Sequence, residues 1–106
     1  MQEITVKELK ERLDSGEDVQ LIDVREPNEF EFARIEGAKL IPLREIISRM
    51  GEIDEAKETI VQCHVGGRSA RAIMALQQAG FSGVLKNLRG GISAWSNEID
   101  PNVPRY

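Results

Sequence analysis

TIVQCHVGGRSARAIMALQQAG, residues 59–80, places the only cysteine of the chain where one kind of pattern gives way to another. Up to Cys63 the segment ETIVQC (58–63) is apolar and β-branched, which predicts a strand buried on both faces. After it, SARAIMALQQAG sets Ala70, Ile73, Met74 and Gln77 on one helical face. Ala72, Leu76 and Ala79 lie beside them, and Gly80 suits the end of the helix. Between strand and helix, Gly66 and Gly67 permit positive φ and can turn successive N–H groups toward one point, a nest for an anion. Ser69 is expected to cap the helix, whose free N–H groups face the same point. Arg68 adds a full positive charge.

Working outward, Thr5-Val6-Lys7-Glu8 has the form of a capping box, with Val6, Leu9 and Leu13 marking one face of the helix it opens, which ends near Gly16. VQLIDV (19–24), AKLIPL (38–43) and GVLKNL (83–88) read as further strands. Short helices are expected from Pro27 through Phe32, over REIISRM (44–50) and over ISAWSNEI (92–99), with Trp95 packed in the core and its indole N–H meeting a local acceptor. Strands alternating with helices across short connections predict an α/β fold with a parallel sheet covered on both faces. Such sheets carry their chemistry beyond the carboxyl ends of the strands, where Cys63 stands. A cysteine that only fills core volume is expected further back, beside Ile60 or Val61.

The 106 residues are expected to form one domain, 1–106, large enough to fold without disulfides or a structural metal. No apolar run nears the roughly 18 residues of a membrane span, and MQEITVKELKERL has no signal-peptide character. With a single cysteine, this predicts a cytoplasmic, monomeric protein away from the membrane. One His and one Cys are too few for a zinc site, so no metal is expected. A net charge of −4 argues against nucleic acid as a partner. The charge is unevenly spread: residues 1–58 carry nine Lys/Arg against sixteen Asp/Glu, whereas 59–106 carry five against two. From Thr59 to Asn97 there is no acidic residue, yet Arg68, Arg71, Lys86 and Arg89 all fall there. Either this reflects a segment rich in buried structure, or it sets a positive potential around an anion at Cys63.

A free thiol titrates near ~8.5, and a nest with a helix end beneath it lowers that value. A thiolate then forms without a general base. His64 is the immediate neighbour of Cys63, too close in sequence to align as its base, so a papain-like mechanism is not expected. His64 is either a loop-lining bystander or a substrate contact. Cysteine-type phosphatases space their loop C-x5-R; here Cys63 to Arg68 is C-x4-R, a tighter loop suited to one added sulfur atom. Asp23 and Arg25 end the second strand. Asp23 is either a turn or capping residue or a support that holds a loop N–H or an arginine.

CHVGGRS resembles the C-x-x-G-x-R-S loop of rhodanese-type sulfurtransferases. LIDVREPNEFEFARIEGAKLIPL resembles the family's Asp-Val-Arg-Glu segment, and NLRGGISAW its Leu-x-Gly-Gly-x-x-x-Trp segment. The resemblance implies a three-layer α/β/α fold with five parallel strands in the order 3-2-4-5-1. It implies a persulfide on Cys63, cradled by His64, Val65, Gly66, Gly67, Arg68 and Ser69, with no cofactor besides. Thiosulfate or a protein persulfide would be the donor. The tail SNEIDPNVPRY resembles the end of rhodanese domains fused behind adenylating enzymes of molybdopterin and thiamine sulfur-carrier pathways, which implies a ubiquitin-like sulfur carrier as acceptor. Many members have Gly-His-Ile where this chain has Ala33-Arg34-Ile35, so Arg34 is either part of a positive rim or a solvated surface charge. A non-catalytic docking module and a cysteine-type phosphatase or arsenate reductase on the same fold are the alternatives.

Overall fold

The computed structural model describes all of residues 1–106. Five strands, β1 (Glu3–Ile4), β2 (Gln20–Asp23), β3 (Lys39–Leu40), β4 (Thr59–Gln62) and β5 (Leu85–Leu88), form one parallel sheet in the order β1-β5-β4-β2-β3. Read from the other edge this is the expected 3-2-4-5-1. Helices α1 (Val6–Asp14), α2 (Pro27–Phe32), α3 (Gly67–Gln78) and α4 (Gly91–Glu98) complete the three layers. The central strand β4 is buried along its whole length and pairs Ile60 with Leu21 and Val61 with Ile22.

Alternation along the strands sorts their side chains into two cores. Ile22, Val61 and Leu85 meet Ala72, Ile73 and Leu76 of α3 on one face. Leu21, Ile60 and Leu88 meet Leu9 of α1 with Ile92 and Trp95 of α4 on the other. Each fully buried side chain of this size stabilises the fold by about 1.5–3 kcal/mol. Both faces are apolar because both are covered, which is why the centres of β2 and β4 read as apolar runs, Leu21-Ile22 and Ile60-Val61.

The capping box at Thr5 forms as expected: Glu8 N–H donates to Thr5 Oγ1 (3.1 Å) and Thr5 N–H to Glu8 Oε1 (3.0 Å). Two local expectations are corrected, the helix over 44–50 and the acceptor for Trp95, and one strand, β1, was not foreseen from the residue pattern. The segment 44–50 is not a helix but two 3₁₀ turns, Leu43–Glu45 and Met50–Glu52, joined by further turns. Pro42 and Gly51 bracket too few residues to repay helix nucleation, and Ile46 is drawn into the core instead. β1 escapes the apolar pattern because it is a two-residue edge strand, held where Asn87 N–H donates to Gln2 O and Arg89 N–H to Ile4 O. Trp95 is buried, but its indole N–H has no protein acceptor; the ring borders a cleft with Lys10, Arg34 and Asp100.

Candidate active site at the carboxyl end of the central strand

Cys63 follows the last residue of β4, and its loop runs straight into α3. Gly66 adopts φ +119° and serves as the N-cap, so the helix begins at Gly67. Ser69 is therefore not the cap; it is the third helical residue, and its side chain turns inward to the sulfur. Of the two loop glycines only Gly66 needs positive φ. Its N–H donates to Cys63 Sγ at 3.1 Å, and Ser69 Oγ lies 3.3 Å from the same sulfur. Cys63 is 1% exposed. Burial pushes the thiol up, but the Ser69 hydroxyl and the backbone N–H groups of Ser69, Gly66 and Val65 outweigh it and hold Cys63 below its ordinary value.

A polar residue of β5 fixes the hydroxyl. Ser69 Oγ donates to Asn87 Oδ1 (2.6 Å), and Asn87 Nδ2 donates to Gly66 O (3.1 Å), so one amide ties the nest to the helix start. The Gly90-Gly91 pair has a related role. Ile92 N–H donates to Cys63 O (2.9 Å) and Ser93 N–H to His64 O (3.1 Å), so α4 clasps the base of the loop. A Cβ on Gly91 would collide with both carbonyls, and its φ of +57° is itself a left-handed value.

Arg68 points outward. Its Nη1 and Nη2 donate to Glu29 Oε1 (2.6 Å) and Oε2 (2.8 Å) in a two-pronged pair. Glu29 also accepts from Glu26 N–H (3.0 Å) and from the Tyr106 hydroxyl (2.7 Å). Chiefly through Arg68 its carboxyl is lowered to about 2, and Glu29 in turn raises Arg68. Tyr106 accepts from Arg25 Nη1 (2.8 Å) and stacks on His64, with centroids 4.1 Å apart and planes 10° from parallel. Asp23 accepts from Arg25 N–H (3.0 Å), Nε (2.9 Å) and Nη2 (2.6 Å), and both side chains are fully buried. Asp23 thus holds both a loop N–H and an arginine. Burial pulls Arg25 down, but the hydrogen bonds to Asp23 and Tyr106 overcome it and leave it raised.

An open groove over the sulfur is lined by Cys63, His64, Val65, Gly67, Arg68 and Arg71. Arg34 does not line it; its guanidinium sits 5.0 Å from the Phe30 ring centroid and borders the separate cleft beside Trp95. Three of the four cations of the acid-free segment are balanced by carboxylates. Arg68 pairs with Glu29, Lys86 with Glu58 (2.5 Å) and Arg89 with Glu3 (3.0 Å), all acids of the first half. Glu29, Asn87 and Tyr106 were absent from the sequence-derived site. Asn87 left only a weak signal, because it shares its strand with another polar residue, Lys86.

The model of the family described as the rhodanese-like domain matches residues 5–98. A sulfurtransferase of Allochromatium vinosum is 41% identical over 101 residues, covering 95% of this chain and 94% of that protein. The probable adenylyltransferase/sulfurtransferase MoeZ of Mycobacterium tuberculosis is 41% identical over 105 residues, 97% of this chain but only 26% of MoeZ. Among solved structures, a rhodanese-like domain protein from Staphylococcus aureus superposes with a TM-score of 0.85 at 30% identity, over 100% of this chain and 99% of its own. The chain therefore belongs to the rhodanese-like domain family.

Proposed function

We propose that the chain is a sulfurtransferase that carries a sulfane sulfur as a persulfide on Cys63. One observation supports this most: a buried sulfur, held by Gly66 N–H and the Ser69 hydroxyl, whose thiol lies below its ordinary value. The thiolate attacks the outer sulfur of the donor, and a new S–S bond forms as the donor's own bond to that sulfur breaks. With thiosulfate the leaving group is sulfite, which keeps the electron pair, and Cys63–S–S⁻ remains. The N–H groups of the His64–Ser69 turn stabilise the terminal sulfur's charge as an oxyanion hole does for oxygen. An acceptor nucleophile then takes that sulfur and restores the thiolate.

No cofactor beyond the persulfide enters this cycle. A reducing, cytoplasmic setting suits its free thiol, and the chain acts as one domain, 1–106, without need of a second copy. The MoeZ likeness and the tail support a ubiquitin-like sulfur carrier as acceptor. The phosphatase reading loses support, because Arg68, the side chain that would grip a phosphate, is committed to Glu29. The docking-module reading draws on the 1% exposure of Cys63. Single-turnover release of sulfite from thiosulfate separates the two. One sulfite per wild-type chain and none from Cys63→Ser supports transfer; none from either, with no sulfur taken from a desulfurase persulfide, supports docking.

A further inference from the structure

We infer that Arg71 is the anion-binding cation of the Cys63 groove, the side chain that meets the negative end of a small anionic donor. The inference deepens the sulfurtransfer reading and rests on it. Four cations fall between Thr59 and Asn97, and three are spent on carboxylates of the first half of the chain. Arg71 is the fourth. It is exposed, has no carboxylate within ion-pair distance and makes no hydrogen bond.

It also lines the same groove as Cys63, on the fifth residue of α3. No acidic residue stands in the first turn of that helix, and a cation near the positive end of a helix is disfavoured. Arg68 suffers the same penalty but is offset by Glu29; Arg71 is offset by nothing in the chain. A cation so placed is free to receive an anion from outside.

The chemistry supplies one. Thiosulfate brings two negative charges to a thiolate that already carries one, and the persulfide that remains and the sulfite that leaves carry the same total. The approach is repulsive unless a cation stands by. A planar guanidinium presents paired N–H groups to the oxygens of a sulfonate-like end, while the donor's outer sulfur faces Cys63. Arg68 braces the loop, and Arg71 receives the donor.

The test compares alkylation of Cys63 by iodoacetate, an anion, and by iodoacetamide, which is neutral and nearly the same size. The same thiolate attacks the carbon of each and displaces iodide, so the ratio of their rates cancels any change in thiolate fraction or loop order and reads the field in the groove. Removing one nearby exposed charge is expected to lower the ratio about threefold in Arg71→Ala and about tenfold in Arg71→Glu. Arg71→Lys should keep most of it. Lys7→Ala removes the same charge from α1, on the opposite face of the sheet, and should leave the ratio unchanged. The KM for thiosulfate should rise in the same order, with kcat less affected.

A ratio indifferent to Arg71→Ala overturns the inference. So does an equal fall in Lys7→Ala, or a Cys63 that neither reagent reaches in the folded protein. The two levels of the argument fail separately. A ratio that follows Arg71 in a protein that takes no sulfur from thiosulfate or from a desulfurase persulfide upholds the anion site and sinks the sulfurtransfer reading. Sulfur uptake with an indifferent ratio does the reverse.

Discussion

A serine hydroxyl has one proton, and Ser69 Oγ stands within reach of three partners: Asn87 Oδ1, Gly66 O and Cys63 Sγ. Beside a neutral thiol the shortest of these contacts takes the proton. Beside a thiolate the sulfur becomes the stronger acceptor, and turning the hydroxyl stabilises the anion. Titrating the thiolate by its ultraviolet absorbance should therefore give a midpoint below that of an ordinary thiol, and Ser69→Ala should raise it. A midpoint unchanged by that substitution would contradict this account of the sulfur. The Asp23–Arg25 pair is a matter of stability instead. Both groups are fully buried, so Asp23→Ala leaves a guanidinium without its counter-ion and should cost about 3–5 kcal/mol in urea unfolding. Cys63 and Asp23 were legible in the sequence because their partners lie within a few residues. Glu29 and Tyr106 were not: Glu29 meets Arg68 across 39 positions, and Tyr106 meets Arg25 across 81.

Secondary-structure elements show the same division between local and distant causes. The helix after Cys63 was legible from its apolar spacing and α1 from its capping box, because both signals are carried by neighbouring residues. The start of α3 was not. Gly66 ends the nest and caps the helix at once, and choosing it over Ser69 depends on Asn87 of β5 holding Gly66 O. The two loop glycines consequently differ in what they tolerate. Gly66→Ala forces a side chain into a left-handed backbone, at about 1–3 kcal/mol, and should abolish persulfide formation by turning the N–H away from the sulfur. Gly67→Ala meets nothing within 4 Å and sits in the first helical turn, so stability should hold or rise by up to about 1 kcal/mol. Thermal unfolding of the two variants checks the contrast, and equal losses would count against the loop geometry. Gly91→Ala should behave like Gly66→Ala, since α4 cannot then close on the Cys63 and His64 carbonyls.

Across the whole molecule the acidic first half and the basic second half turn out to be complementary. Arg68, Lys86 and Arg89 find carboxylates on α2, before β4 and on β1. The imbalance was visible in the sequence; its purpose as pairing across the sheet was not, because pairing follows from topology. The brace at Glu29 gives this arrangement a pH signature. Its folded carboxyl titrates at about 2 against an ordinary 4.5, so the stability it contributes is fully present above pH 4.5 and is lost as pH falls through about 2. The difference in unfolding free energy between wild type and Glu29→Gln should be flat above pH 5 and shrink toward pH 2. A difference that widens on acidification would mean that Arg68 is held by something else. No helix is long and apolar enough to cross a membrane.

The measurement that bears most directly on the central claim is the intact mass of the protein after incubation with thiosulfate, and separately with a cysteine desulfurase and cysteine. Wild type and Cys63→Ser are compared before and after a thiol reductant. The account predicts a gain of one sulfur atom, absent in the variant and erased by the reductant. No gain from either donor, or a gain that survives in Cys63→Ser, would contradict it.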